Sequence, residues 1–267
     1  MLLVLGILAA ATLRYTFALT DSNNNAATNA SMDVVETALF NYMLVNNRLP
    51  CPADITQAEN TAAFGTEIEA LADGKCTGAN FLNSSTDPDH ADALYDAATA
   101  SKVAAGAIPT KALKLADKYA YDAWGRKILY AVDIRITASN AFLTYPITAG
   151  TANGTIGAIV VKPVSATGTL ASAITYKAVY GLVSFGKNGH GGYVRNLGAT
   201  STRYNWGSTN TNEQKNCHCN SSATATAFDR IFVQHTKTAG STTLTDTFDD
   251  IMRYKTRVQM TSPALLQ

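Results

Sequence analysis

The chain of 267 residues carries 21 Lys and Arg against 20 Asp and Glu, so its formal net charge is +1, and only 15% of its residues are charged. That length holds one large domain or two small ones, and so balanced a charge gives no electrostatic basis for a nucleic-acid partner. Many Ala, Thr, Asn and Ser residues are typical of an exported or surface-exposed protein, and the 4 cysteines permit two disulfides in an oxidising compartment.

The chain opens with an apolar block, Met1–Leu13, that has no charge before Arg14. As a helix rising roughly 1.5 Å per residue it spans about 20 Å, short of the ~30 Å hydrocarbon core of a bilayer. Continuation to Leu19 nearly crosses that core, with Arg14 snorkelling towards an interface. Three interpretations compete. They are a signal peptide without the usual basic start, a buried core helix, and a membrane-stored helix that later packs against its own copies.

The segments after this block alternate between polar and amphipathic. Thr20–Ser31 contains three consecutive asparagines and is predicted to be either helical or melted, because such side chains compete for backbone hydrogen bonds. Helical periodicity resumes at Ser31, a predicted N-cap, and runs to Asn46. The apolar stripe that we expect to pack on a sheet comprises Val35, Ala38, Leu39, Tyr42 and Met43. We therefore predict an N-terminal helix over 1–47, divided into 1–19, 20–31 and 32–47, and a globular head over 48–267.

The head is predicted to be rich in loops first and in strands later. Pro50 and Pro52 follow the helix, and a short helix is expected near Asp92–Ala105. Period-two alternation then predicts strands at Ile128–Ile136, Ile156–Val161, Ala178–Phe185 and Phe228–His235. The glycine-rich segment Gly186–Gly192 is predicted to be a turn or bulge between strands. Helix first and strands later indicate an α+β fold with a long N-terminal helix on an antiparallel sheet.

The cysteines offer more than one pairing. A bridge between Cys51 and Cys76 would staple the segment after the helix and contribute about 3 kcal/mol in the chain-entropy model. If Cys217 and Cys219 lie on a strand, their geometry does not favour a bridge between them. Cross-pairing with the first two therefore stays open, and Cys217–Cys219 lacks the second ligand pair of a zinc finger.

A group of residues before the first predicted strand has a structural role in our interpretation, and not a catalytic one. Asp122, Trp124, Gly125 and Arg126 are predicted to form a turn that feeds the strand at Ile128. In this turn Gly125 would supply an unusual backbone angle, Arg126 would pair with Asp122, and Trp124 would pack against the head.

Four patches, in this order, resemble the type IV pilin and type II secretion pseudopilin superfamily. The first is Leu2-Leu-Val-Leu-Gly-Ile-Leu-Ala-Ala10, and the second is Asn47-Arg-Leu-Pro-Cys-Pro-Ala-Asp54. The third couples Gly106–Leu113 to Tyr121-Asp-Ala-Trp-Gly-Arg-Lys-Ile-Leu-Tyr-Ala-Val132, and the fourth joins Val179–Tyr193 to Phe248-Asp-Asp-Ile-Met252. The leader, cleavage site, aromatic first residue and early glutamate of that family are not in this sequence. We therefore expect the sequence to begin a few residues into the mature helix.

The resemblance implies a pilin-like fold and a structural role. It implies that a prepilin peptidase removes a leader at the bacterial inner membrane, that the N-terminus is methylated, and that an assembly platform draws subunits from the lipid bilayer into a pilus or pseudopilus. The filament would be a homopolymer outside the cell or in the periplasm. The helix residues implied to form its core are Leu2, Leu3, Val4, Leu5, Gly6, Ile7, Leu8, Ala9, Ala10 and Leu13.

Other functions have weaker support in the sequence. No Gly-x-Ser-x-Gly or His-Glu-x-x-His motif occurs, so we expect no enzymatic activity and no cofactor. Asp246, Asp249 and Asp250 are weak candidates for calcium ligands, because their spacing does not match a known calcium loop. The alternative from another class is a membrane-anchored or secreted surface-binding protein, such as an adhesin, that forms no filament.

Overall fold

A computed structural model describes residues 2–68, 76, 81–83, 102–144, 156–164, 172–198, 200–226, 229–234 and 248–260. For residues 2–18, 81–83 and 102 it describes the backbone only. The helices are α1 (Leu2–Asn46), α2 (Ile134–Thr137), α3 (Ala141–Thr144) and α4 (Thr211–Cys217), with a 3-10 turn at Asp117–Ala120. The strands are β1 (Phe81–Asn83), β2 (Lys102–Ala107), β3 (Leu129–Asp133), β4 (Ile159–Pro163), β5 (Thr175–Ser184), β6 (Ile231–Gln234) and β7 (Ile251–Thr256).

Helix α1 is continuous over 45 residues, so the polar stretch Thr20–Ser31 is helical. The prediction that Ser31 caps a new helix is wrong, because Ser31 lies inside α1. Extending an existing helix is far less costly than starting another, and poor helix formers are carried along when both flanks are helical. The amide of Asn29 supports the local backbone by donating to the carbonyl oxygen of Asn25 at 2.9 Å. The helix ends where Asn47 adopts a positive φ of 52°.

In the part of the chain that the structure describes, seven strands form one sheet in the order β1-β2-β3-β5-β4-β6, with β7 paired to β5. All pairs are antiparallel except β4 with β6, which run parallel. The α+β class is therefore present, but the sheet is mixed and not wholly antiparallel as predicted. The parallel pair is feasible because the long connection between β4 and β6, which includes β5 and α4, returns the chain in the same direction.

The predicted strands are found in part. The alternation at Ile128–Ile136 gives β3 only to Asp133, where the carboxylate accepts a hydrogen bond from the backbone N–H of Arg135 and caps α2. A helix expected near Asp92–Ala105 is wrong where the structure describes that range, because Lys102–Ala107 is strand β2. The rest of that expected helix, together with Phe228 and His235 at the ends of a predicted strand, lies outside the described residues.

The sheet has a core on each face. On one face α1 covers a cluster that includes Tyr130, Val132 and Leu182 of the central strands. On the opposite face Ala131 and Val183 belong to a second cluster. The second cluster also contains Phe185, Cys217, Cys219, Phe232 and Met252. Alternate side chains of β3 thus pack into different clusters on the two faces of the sheet, because successive side chains of a strand point to opposite faces. No helix in the described part of the chain is long and apolar enough to span a membrane.

Candidate functional site

The apolar stripe of α1 lies buried between the helix and the sheet. Val35 and Leu39 are 0% exposed and Met43 is 4% exposed. All three belong to the cluster that contains Tyr130 and Leu182. Fully burying one such side chain contributes about 1.5–3 kcal/mol, so this stripe fixes the helix on the head.

Tyr42 lies at the rim of that stripe and joins it to the segment after the helix. Its hydroxyl donates to Glu67 Oε1 at 2.9 Å, and its partial burial, together with the nearby Glu67 carboxylate, raises the pKa of Tyr42. The same carboxylate forms an ion pair with Arg48 at 3.1 Å and accepts the backbone N–H of Cys51 at 3.0 Å. Glu67 therefore ties the end of α1 to the first disulfide.

Towards its N-terminus α1 loses contact with the core. The first buried residue along the described side chains is Thr28, whose hydroxyl accepts the backbone N–H of Ala123 at 3.1 Å. Further out, Asp21 pairs with Lys187 at 2.8 Å, and Leu19 is 45% exposed. The residues assigned to a filament core have a helical backbone, but their side chains lie outside the described residues. They are Leu2, Leu3, Val4, Leu5, Gly6, Ile7, Leu8, Ala9, Ala10 and Leu13.

The structure contains two disulfides. Cys51 is bonded to Cys76, with their Cα atoms 5.5 Å apart. Cys217 is bonded to Cys219, which corrects the prediction that their geometry disfavours a bridge. The two do not lie on a strand. Cys217 ends α4, and His218 adopts a left-handed backbone with φ 47°, which brings the two Cα atoms to 5.2 Å, within disulfide range.

The turn at Asp122–Arg126 is organised by one carboxylate. Asp122 Oδ1 accepts the backbone N–H groups of Trp124 and Arg126 at 3.0 and 2.9 Å, and Oδ2 accepts the hydroxyl of Ser184 at 2.7 Å. Gly125 has a φ of 80°, which a side chain would strain. Arg126 therefore meets Asp122 through its backbone, and its guanidinium instead donates to the carbonyl oxygen of Gly186 at 3.0 Å.

The guanidinium of Arg126 contacts the segment Gly186–Gly192, which forms turns as predicted. The segment is followed by isolated bridges at Tyr193 and Val194 and then by α4, so it does not connect two strands of the sheet as predicted. It lies against an acidic cluster, because the backbone N–H groups of Lys187 and Asn188 donate to Asp249.

Asp249 and Asp250 lie just before β7 and meet Glu213 of α4, so that ligand oxygens of all three lie within 4.8 Å of one another. Their exposed fractions are 6%, 3% and 0%, respectively. Asp246, the remaining calcium candidate, lies outside the described residues.

Each of these carboxylates is held at one oxygen by the surrounding chain. Asn188 Nδ2 donates to Glu213 Oε1 at 2.6 Å, and Asn216 Nδ2 donates to an oxygen of Asp250 at 3.0 Å. One oxygen of Asp249 accepts the backbone N–H groups of Lys187 and Asn188 at 2.9 and 3.1 Å. We call Glu213, Asp249 and Asp250 the acidic cluster.

Burial dominates the electrostatics of this cluster. It raises the pKa of Glu213 to about 7, with the Asp249 charge acting in the same direction. It also raises the pKa of Asp250 well above its usual range, helped by the charges of Glu213, Asp249 and Asp122. The three carboxylates therefore repel one another in a site with little water.

A junction between the Gly186–Gly192 segment and the second disulfide lies beside the cluster. His190 Nε2 lies 2.9 Å from the carbonyl oxygen of Asn220 and 3.4 Å from Cys219 Sγ. His190 Nδ1 accepts the backbone N–H of Ser208 at 3.4 Å, which places the ring proton on Nε2. Because the sulfurs of Cys217 and Cys219 are bonded to each other, this group holds the segment in place and offers no thiolate to a metal.

Sequence reasoning missed Glu213 and the asparagines that orient the cluster. Glu213 is a single acid in the polar helix Thr-Asn-Glu-Gln-Lys-Asn-Cys, and its partners Asp249 and Asp250 come more than thirty residues later. The acidic pair before β7 was the only available signal. Comparisons with protein-family models, curated proteins and solved structures find no match to this chain.

Proposed function

We propose that this protein is a pilin-like subunit of a helical filament, assembled through the N-terminal part of α1. One observation carries the proposal: α1 is a single helix of 45 residues, and its described side chains join the core of the head only from Thr28 onwards. Between Thr28 and Asp21 the helix still meets the head through the ion pair of Asp21 with Lys187. The 19 helical residues before Asp21, residues 2–20, extend about 28 Å at roughly 1.5 Å per residue, and we propose that this length makes contacts outside the head.

The sequence of that extension is compatible with a move of the helix from a lipid bilayer into contact with other protein subunits. The block from Leu2 to Leu13 has no charged residue, so it is compatible with a bilayer before assembly and with neighbouring copies afterwards. Both surroundings are apolar, so packing decides between them. Small residues at Gly6, Ala9 and Ala10 would let helices approach closely.

The head would coat the outside of such a filament. Its mixed sheet, the stapled segment after α1 and the disulfide at the end of α4 give it a rigid body that suits exposure outside the cytoplasm. By resemblance, its partners would be a prepilin peptidase and an inner-membrane assembly platform. Its role would be structural rather than enzymatic.

Electron microscopy of sheared surface material, with mass spectrometry of the fibres, tests this proposal. In cells that produce the protein, Leu8→Asp is expected to abolish fibres, because a carboxylate in the middle of an apolar helix costs about 2.5–3.5 kcal/mol in a bilayer. Leu8→Met, which conserves volume and polarity, is expected to leave them unchanged. Both disulfides should form in each variant, which checks that the head is intact.

Two results would contradict the filament. One is fibres that persist in the Leu8→Asp strain. The other is wild-type protein on the cell surface without any fibre that contains it. The second result would support the membrane-anchored binding protein that the sequence also allows.

A further inference from the structure

The disulfide between Cys217 and Cys219 differs from the Cys51–Cys76 disulfide in the length of chain that it encloses. It bridges two positions that flank His218, whose φ of 47° lies in the left-handed region that strains a residue with a side chain. Cys51 and Cys76 lie 25 positions apart. Because the stabilisation from a disulfide grows with the loop it closes, opening the Cys217–Cys219 bond is expected to leave the head folded.

Partners for both reduced sulfurs are already in place beside this bond. Cys219 Sγ lies 3.4 Å from Nε2 of His190, the ring nitrogen that carries the proton. Burial lowers the pKa of His190, so the ring is neutral and keeps a single proton. Cys217 Sγ lies 3.5 Å from the carbonyl oxygen of Gln214, which accepts a proton from a thiol. The hydrogen bond from His190 therefore stabilises a thiolate on Cys219, and Cys217 has an acceptor for its thiol proton.

The surroundings of Cys51 and Cys76 disfavour a thiolate at either sulfur. The Glu67 carboxylate accepts the backbone N–H of Cys51 at 3.0 Å, so it places a negative charge beside that residue. The hydroxyl of Thr137 lies 3.2 Å from Cys76 Sγ, but it donates its proton to the carbonyl oxygen of Ile134 at 2.8 Å. Since a stable thiolate is the better leaving group, these contacts favour cleavage of the Cys217–Cys219 bond over cleavage of the Cys51–Cys76 bond.

The reduced sulfurs need more room than the segment Gly186–Gly192 leaves them. A Cβ atom on Gly191 would lie only 2.7 Å from each sulfur, so this segment packs directly on the disulfide. Bonded sulfurs are about 2.05 Å apart, whereas non-bonded heavy atoms keep roughly 3.5–4 Å. Opening the bond therefore forces the sulfurs against Gly191 and displaces the segment. Because Lys187 of the same segment pairs with Asp21 at 2.8 Å, the displacement also reaches a contact between α1 and the head.

We propose that the Cys217–Cys219 disulfide is a redox latch, which a dithiol opens selectively and whose opening releases the Gly186–Gly192 segment from α4. In the first step a thiolate of the dithiol attacks Cys217 Sγ, the S–S bond breaks, and Cys219 leaves as a thiolate that accepts the hydrogen bond from His190. The second thiol of the dithiol then displaces Cys217. Two electrons pass to the protein, the dithiol becomes its own disulfide, and its two protons go to Cys217 and to the solvent.

Equilibrium titration of the full chain in detergent with mixtures of reduced and oxidised dithiothreitol tests the selectivity. Alkylation of the free thiols, followed by mass spectrometry of the peptides, gives the reduced fraction of each disulfide. We expect Cys217–Cys219 to reach half reduction at a reductant-to-oxidant ratio at least ~10-fold lower than Cys51–Cys76, which is the internal control. The titration involves no filament, so its outcome is independent of the test of the proposed function.

Two variants examine the hydrogen bond from His190. His190→Leu removes the donor, and we expect the reduction of Cys217–Cys219 by excess dithiothreitol to slow by about 10-fold. His190→Gln keeps an amide donor, and we expect a rate within about 3-fold of wild type. If His190 only packs the segment in place, His190→Leu instead exposes the sulfurs and speeds their reduction, and that result contradicts the proposal.

Hydrogen exchange measures the release of the segment. After selective reduction we expect the amide exchange of residues 186–192 to rise at least ~10-fold, and that of β3 to stay unchanged because the head remains folded. The proposal is overturned if the two disulfides are reduced together, or if exchange in the segment does not change. The wild-type measurements decide the question even if a variant at His190 does not fold.

Discussion

Replacing Leu39 by alanine tests whether α1 is held on the head by its apolar stripe. Leu39 is 0% exposed and lies in the cluster formed with the sheet. Leu→Ala removes the equivalent of three buried methylene groups at about 0.8 kcal/mol each, which gives roughly 2.4 kcal/mol before any cavity is counted. With the cavity included, we expect the free energy of unfolding to fall by about 3–4 kcal/mol, within the range seen for buried leucines.

Urea unfolding of the full chain in detergent, followed by near-ultraviolet circular dichroism, measures this loss. With a slope of about 2–3 kcal/mol per M, the midpoint should fall by roughly 1–2 M. Leu44→Ala is the matched control on the same helix, because Leu44 is 60% exposed, and we expect a change within about 0.5 kcal/mol. Equal effects at the two positions would refute the packing of α1 on the sheet.

Two further predictions concern the segment that follows α1. In the double variant Cys51→Ser, Cys76→Ser the free energy of unfolding should fall by about 3–4 kcal/mol, because the disulfide closes a loop of 25 residues. Urea unfolding with and without a reductant measures this loss. An unchanged unfolding midpoint in the double variant would argue against the disulfide. Lys127 is buried and donates to the carbonyl oxygens of Ile55 and Gln57 at 2.7 and 2.5 Å, and burial lowers its pKa from 10.5 to about 8. The unfolded chain therefore binds more protons than the folded chain between about pH 8 and 10.5, so the free energy of unfolding of the wild type should rise relative to that of Lys127→Met across this range. Parallel pH profiles would contradict this assignment.

The helical part of the fold was largely predictable, because periodicity records which face is buried. The spacing of Val35, Leu39 and Met43 placed the stripe that the structure buries against the sheet. The state of Thr20–Ser31 was not predictable, since local propensity favours neither alternative and the flanking helix decides it. Ser31 was mistaken for a cap for the same reason.

Alternation of apolar and polar side chains did not predict where the strands end, nor did it predict every strand. Alternation continues through Ile134 and Ile136, but the Asp133 carboxylate forms an ion pair with Arg135 and starts a helical turn. Strand β2 has the composition Lys-Val-Ala-Ala-Gly-Ala, which carries no period-two signal. Its Gly106 lies so close to the carbonyl oxygen of Ala53 that a side chain would overlap it, a constraint that is visible only in three dimensions.

The acidic cluster was predictable only in its Asp249–Asp250 half. Glu213 joins it because α4 packs beside β6 and because Asn216 bonds both to β6 and to Asp250. Likewise, the bridge between Cys217 and Cys219 depends on a left-handed backbone at His218, which a sequence pattern does not reveal. Tertiary packing and single unusual backbone angles are the information that the pattern lacked.

The position of β7 beside β5 has a consequence for biosynthesis. β7 pairs with the second half of β5, and its Arg253 contacts Glu36 of α1 across 217 residues of chain. Contacts at such separation form slowly, because the loop between them must close first. During synthesis the second half of β5 therefore keeps one edge unpaired until β7 has been made. In that interval this edge, like α1, is exposed to aggregation with other chains.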